Sequence, residues 1–442
     1  MKNKLLYGLI VLFVLGILPV CHAQTTLTLK QCLDYGLVNS PSIKAADYAV
    51  AALEENRKSA RADFLPSLST SYSLTRLENI SSKGAADTDY LNQDMRTFAL
   101  RLSQVLYAGN RLLNAYDKAK LDMERKAADR RLAELELSYN IQATFFQLKG
   151  AELNVKILKE AVVRLEEGVK SANAYLEKSL ISYSEVLSAR VDLADAEQQL
   201  SKAKNDVNRK RVALFSLMNH PISEEVVFEG GLEFFAGDYP SEFEACWHIA
   251  KSNRPDLESL AKQVAMSEKD AAIALGSYLP LVKLDLGYND QNRDYESLAA
   301  YNYDRDQRNR YWSAGVNASW ELFDGGRSWY QNQKSSLDVL QIKENIKKVQ
   351  LSIQEGIRKA LFSISEAEHR TRGALGAVGA AEENYKVESS RLEAGLTTVP
   401  LLLDAQIRLT RAQGNYTQAL LDYQLSRSEL EFMIGEKEKK DK

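Results

Sequence analysis

The chain repeats itself at an offset of about 215 residues, and no other feature limits its folding as strongly. Cys32 to Pro41 aligns with Cys246 to Pro255, and Phe64-Leu65-Pro66 with Tyr278-Leu279-Pro280, at an offset of 214. Farther on, Leu106 to Arg111 aligns with Leu322 to Arg327, and Leu176-Glu177 with Leu392-Glu393, at an offset of 216. An element in one copy therefore needs a counterpart in the other. The second copy gains its two residues between Pro66 and Leu106, where exposed loops tolerate insertion. The repeat organises the chain as a leader at 1–23, a first copy at 24–220, a linker at 221–240, a second copy at 241–435 and a charged tail at 436–442.

Each copy holds two segments with period-two alternation, the signature of a strand with two unlike faces. In 67–77, Leu68, Tyr72 and Leu74 alternate with Ser67, Ser69, Ser71 and Ser73. In 97–107, Phe98, Leu100, Leu102 and Leu106 oppose Thr97, Ala99, Arg101 and Ser103, with Gln104 an intruder on the apolar side. In 281–289, Val282, Leu284, Leu286 and Tyr288 oppose Lys283, Asp285 and Gly287. In 312–322, Trp312, Val316, Trp320 and Leu322 oppose Ser313, Gly315, Asn317 and Glu321. A soluble antiparallel sheet has the same period. Trp312 and Trp320, however, stand roughly 20 Å apart along a membrane normal for a strand tilted by about 40°, close to the spacing of interfacial aromatic girdles. Tyr72 and Tyr288 join them as candidate interface aromatics. Four strands leave open edges in lipid, so several chains must share one barrel. The polar intervals 76–96 and 289–311 read as exposed loops.

Between the strands the chain is made of helix formers. From Asn110 to about Gly168 there is no proline and only Gly150 inside, which predicts one very long helix. Val186, Ala189, Leu193, Ala196, Leu200 and Ala203 follow 3-4 spacing, as do Leu402, Ala405, Leu409 and Ala412 in the second copy, so both stretches read as coiled-coil seams. Residues 42–64 supply a further, shorter helix in line with the first seam. Turns are expected at 171–184 and 389–400, a full helix length from the strands.

Composition removes other classes. Lys and Arg total 57 against 60 Asp and Glu, a net charge of −3, which disfavours a nucleic-acid binder. Three cysteines and four histidines leave little for a metal cluster, and no G-x-x-x-x-G-K-[ST] loop is present to hold ATP. No catalytic, cofactor or metal site is expected. Met1 to Lys4, the apolar run from Leu5 to Val20 and Cys21-His22-Ala23 read as an export leader, with acylation of Cys21 as the rival.

With these elements in order, the chain resembles the TolC-like outer-membrane efflux channels, the outer membrane factors, over nearly all of the sequence after the leader. The resemblance rests on the doubled layout, Tyr278-Leu279-Pro280, the run Trp320 to Arg327, and Arg391 to Thr397 followed by Leu403-Asp404-Ala405. It implies a mixed, mainly α fold: a duplicated coiled-coil tunnel of long helices in the periplasm plus four transmembrane strands per chain in a shared twelve-strand trimeric barrel. It further implies a homotrimer in outer-membrane lipid, meeting a periplasmic adaptor (membrane fusion) protein and an inner-membrane pump of the RND or ABC type. The function implied is a passive exit duct for tripartite efflux or type I secretion; the rival from another class is a soluble periplasmic coiled-coil scaffold or adaptor.

The family's adaptor-docking motif matches Gly395-Leu396-Thr397, while Ser179-Leu180-Ile181 departs by placing Ser where Gly is usual. Glu185 and Asp404 fall at acidic gate or selectivity positions. Leu392, Thr397 and Leu401 stand where polar gate partners occur in the family, a departure that puts gating by that network in question.

Overall fold

The computed structural model describes residues 26–78, 93–222, 226–234, 237, 239–295 and 306–436. The leader, the end of the tail and the middle of both strand-joining loops lie outside them. In order, the elements are β1 (Thr26–Thr28), α1 (Leu29–Asn39), α2 (Pro41–Ala62), β2 (Ser67–Leu77), β3 (Gln93–Tyr107), α3 (Arg111–Glu177) and α4 (Tyr183–Met218). The second copy follows with β4 (Val227–Glu229), α5 (Phe243–Asn253), α6 (Pro255–Gly276), β5 (Leu281–Tyr295), β6 (Asp306–Ser319), α7 (Arg327–Glu393) and α8 (Val399–Ile434).

The repeated Asn-x-Pro signals are helix breaks. Proline disfavours helical geometry in the residue before it but suits a first helical position, so α1 stops at Ser40 and α2 starts on Pro41, as α6 starts on Pro255. Thr28 opens α1 with a capping box: its N–H donates to Gln31 Oε1 at 2.9 Å and its hydroxyl accepts from Gln31 N at 3.4 Å. The long helices α3 and α7 have 67 residues each, about 100 Å at 1.5 Å per residue.

Contacts gather the chain into two units that each draw on both sequence copies. One holds the described residues up to Pro41, Glu134–Cys246 and Ile357 onward; the other holds Ser42–Ala133 and Trp247–Gly356. In the first, Phe145, Phe215 and Phe228 pack with ring centroids 6.3 Å and 5.5 Å apart across Phe228, and Ile141, Leu148 and Tyr423 are fully buried. Phe228 lies on β4, inside the expected linker, and β4 pairs in parallel with β1. The part of the linker around β4 is thus in the folded core, held where Lys149 donates to the Phe228 carbonyl. In the second unit, α3 and α6 are laced by Lys118 to Asp270 at 2.6 Å, Lys269 to Asp117 at 2.7 Å and Lys262 to Glu124 at 2.5 Å. Exposed pairs of this kind contribute about 0.2–1 kcal/mol each.

The four longer strands form one antiparallel sheet in the order β2-β3-β5-β6, so the two copies meet at the β3–β5 pair. Three strands run past their expected ends. β3 starts at Gln93, β5 reaches Tyr295 and β6 starts at Asp306, so most of 289–311 is strand and not loop. β6 in turn stops at Ser319, short of Leu322. Where both faces of a strand are polar the apolar alternation disappears, although the hydrogen-bond ladder continues.

Candidate functional site

Cross-strand register assigns every side chain of the sheet to a face. One face carries Leu68, Leu102, Leu286 and Ala314 in one row, and Thr70, Leu100, Tyr288 and Trp312 in the next. Tyr72, Phe98, Asp290 and Arg310 follow. Leu68 is 66% exposed, Tyr72 69%, Trp312 78% and Val316 65%, so among the described residues nothing covers this apolar face. The Tyr288 and Trp312 rings pack with centroids 4.9 Å apart. Trp320 is also exposed, and its Nε1 donates to the Tyr278 carbonyl at 2.9 Å. The opposite face carries Ser67, Ser103, Asp285 and Gly315, then Ser69, Arg101, Gly287 and Ser313. One face is fit for hydrocarbon and the other for water. β2 and β6 are the two edges of the sheet, each with one side of its backbone unpaired.

Strand-to-helix joints are built from the repeated glycine motifs. Gly109 has φ +60°, and a Cβ there would come within 2.5 Å of the Gly276 carbonyl oxygen; a Cβ on Gly276 would meet the Gly109 oxygen at 2.5 Å. Only two glycines permit this backbone crossing. In the second copy Asp324 caps α7, its carboxylate accepting from Ser328 Oγ at 2.6 Å, Ser328 N at 2.8 Å and Gly326 N at 2.9 Å. These bonds, that of the Ser328 hydroxyl foremost, hold its carboxyl below the usual carboxylate range.

The turns at the other ends of α3 and α7 are the same Schellman motif built twice. Leu180 N donates to Tyr175 O at 2.9 Å and Ser179 N to Leu176 O at 2.7 Å. In the second copy Leu396 N donates to Arg391 O at 2.7 Å and Gly395 N to Leu392 O at 3.0 Å. The left-handed residue is Ser179 (φ 57°) in one and Gly395 (φ 69°) in the other, so the departure from glycine leaves the turn unchanged. Leu180 is 63% exposed and Leu396 71%, whereas Ile181 packs on an apolar cluster containing Val162, Leu165, Val186, Leu392 and Leu402. Thr397 Oγ1 donates to Glu388 at 2.7 Å.

The two acidic candidates have local partners. Glu185 accepts from the Ser182 N–H at 2.7 Å, compensating the N-terminus of α4. Asp404 is more exposed and accepts from Arg408 Nε at 2.7 Å. Leu392 is buried in the apolar cluster, and its carbonyl accepts from the Tyr175 hydroxyl at 3.1 Å, so α3 and α7 are fastened here by packing and one hydrogen bond. A groove of about 470 Å³ is lined by α3, α4 and α8, with Asp192, Asp195, Gln406 and Arg411 among its residues. Burial and the neighbouring Asp195 raise the Asp192 carboxyl above its ordinary value. The sequence pattern passed over this groove because its polar residues are scattered across three helices.

No helix of the described residues is long and apolar enough to cross a membrane. The comparisons with known proteins converge on ducts. The model of the outer membrane efflux protein family matches residues 33–220 and again 247–436. The pyoverdine export outer membrane protein OpmQ of Pseudomonas aeruginosa is 24% identical over 410 residues, covering 89% of this chain and 82% of that protein. The outer membrane protein TolC of Vibrio cholerae is 23% identical over 406 residues, covering 90% and 88%. The Campylobacter jejuni CmeC outer membrane channel superposes with a TM-score of 0.80 at 18% identity, covering 93% and 87%. These findings favour the exit duct over a soluble scaffold, and the chain belongs to the outer membrane efflux protein family.

Proposed function

We propose that three copies of this chain close one barrel, β6 of each pairing with β2 of the next, and that the helices continue the passage through the periplasm. The carrying observation is a four-stranded antiparallel sheet with one bare apolar face, one polar face and two open edges. Edge strands cannot remain unpaired in hydrocarbon, where each unsatisfied backbone group costs several kcal/mol. Two copies give eight strands, a barrel whose interior side chains fill; three leave room for a channel. A Cβ added at Gly373, Gly376 or Gly379 on α7 would meet nothing within 4 Å among the described residues, which leaves a face on which a neighbouring copy can approach closely.

The duct conducts passively, its energy supplied by an inner-membrane pump of the RND or ABC type through a periplasmic adaptor. The adaptor meets the turns at Ser179, Leu180, Ile181 and at Gly395, Leu396, Thr397, where two leucines stand free. Glu185 and Asp404 form carboxylate rings in the trimer that favour cations near the tip. Purified protein should run as a heat-sensitive trimer and conduct ions across planar bilayers, and Glu185→Gln with Asp404→Asn should lower its cation preference. A water-soluble monomer without conductance would reject the duct. Unchanged selectivity would remove the acidic rings alone.

A further inference from the structure

We propose that the outward face of the sheet carries a binding site for lipid phosphate, built from Arg96, Arg308 and Arg310 just beyond the aromatic row. The inference rests on the reading that the apolar band of the same face lies in hydrocarbon. In register, Arg310 follows Trp312 by one row, beside Tyr72, Phe98 and Asp290; Arg96 and Arg308 share the next row with Leu74 and Asn292. All three arginines therefore point the same way as Trp312. Each row advances roughly 5 Å along the membrane normal at ~3.3 Å per residue and ~40° tilt, so the guanidiniums stand about 5–10 Å outside the aromatic row. The headgroup layer occupies about that depth beyond the hydrocarbon.

Within these two rows three arginines face one carboxylate. Asp290 is the one carboxylate in these two rows; it pairs with Arg308 at 2.5 Å and lies 3.4 Å from Arg310, while both arginines keep more than half of their side chains exposed. Arg96 is exposed as well. Asn292 stands between Arg96 and Arg308 in the register. Arg96 and Arg308 flank one intervening strand, about 10 Å apart at the backbone, within reach of one another's side chains across a phosphate. Guanidiniums bind phosphate through paired N–H donors, which suits them to this over simple counter-charge. Farther out, Asp94, Asp294 and Asp306 share the next row with Arg76 and bound the basic zone on the water side. In a closed barrel the site recurs once per copy.

The test uses the full chain reconstituted in phosphatidylcholine vesicles containing a trace of dansyl-labelled phosphatidic acid or dansyl-labelled phosphatidylcholine. With Trp247, Trp320 and Trp329 replaced by phenylalanine, Trp312 is the sole tryptophan and energy transfer from it reports which lipid occupies this face. Phosphatidic acid should be preferred over phosphatidylcholine, and each arginine replaced in the series R96Q, R308Q, R310Q should lower that preference by about fivefold. Equal transfer to both lipids, or a preference that survives the triple variant, overturns the proposal. A preference erased by millimolar inorganic phosphate would also overturn it, by assigning the arginines to free anions. Transfer to neither lipid would instead mean that the sheet is not in the bilayer. Undiminished transfer to phosphatidylcholine in the variants shows that they still insert.

Discussion

The paired turns at the helix tips offer a matched experiment, because the same Schellman geometry is built once on Ser179 and once on Gly395. A left-handed conformation costs an L-residue about 1–2 kcal/mol, while glycine there surrenders about 0.5–1 kcal/mol of extra unfolded-state entropy. Ser179→Gly should therefore stabilise its turn by a net of about 0.5–1 kcal/mol, and Gly395→Ser should destabilise the other by a similar amount. A side chain added at Gly395 meets nothing within 4 Å, so backbone strain is isolated from packing. Global melting is unsuited to a membrane oligomer, so the readout is hydrogen exchange at the Leu180 and Leu396 amides, the donors of the outer Schellman bonds. Protection of Leu180 should rise about two- to fivefold in the first variant, and that of Leu396 should fall about two- to fivefold in the second. Two variants that both leave protection unchanged, or change it in the opposite sense, would refute the equivalence of the turns.

Three further outcomes follow from the joints and the core. Gly276→Ala drives a methyl group toward the Gly109 carbonyl at 2.5 Å and should cost about 1–3 kcal/mol, read as earlier thermal dissociation of the oligomer. Burial pushes the Cys32 thiol up to about 12, so at pH 8.5 iodoacetamide should label it about a thousandfold more slowly in the native protein than in denaturant, as mass spectrometry can follow. Because the Asp324 carboxyl is depressed in the fold, its contribution is present above the unfolded value near pH 4 and is lost as pH falls through the lower folded one. Protection factors in the first turn of α7, taken relative to intrinsic exchange at each pH, should therefore fall on acidification, and Asp324→Asn should flatten that dependence.

What was legible in the sequence was whatever a medium imposes on a period. Lipid on one side and water on the other impose alternation, so Leu68 to Leu74 and Trp312 to Val316 announced their strands. Above the aromatic row the outward face is polar as the inward one is, and Asn289 to Tyr295 keeps the strand geometry without the signal. The helices α1 and α5 are 11 residues each and stop two residues before Pro41 and Pro255, too short for a helical period to stand out in the sequence. β1 and β4 are three residues each, too brief for any period, and only their parallel pairing reveals them. At the tips the turns fall inside the expected 171–184 and 389–400, but α3 and α7 run five to seven residues into those spans, and the left-handed Ser179 could not be read from a motif that expects glycine. Pairing of Asp404 with Arg408 follows from i,i+4 spacing and was open to the same reading.

The account depends on which medium meets the exposed row of the sheet. Variants that retain Trp312 or Trp320 as the sole tryptophan, reconstituted in vesicles, should lose fluorescence when the acyl chains are brominated and should resist quenching by iodide in the water. Strong iodide quenching with indifference to brominated lipid would turn this face toward water and contradict the membrane barrel.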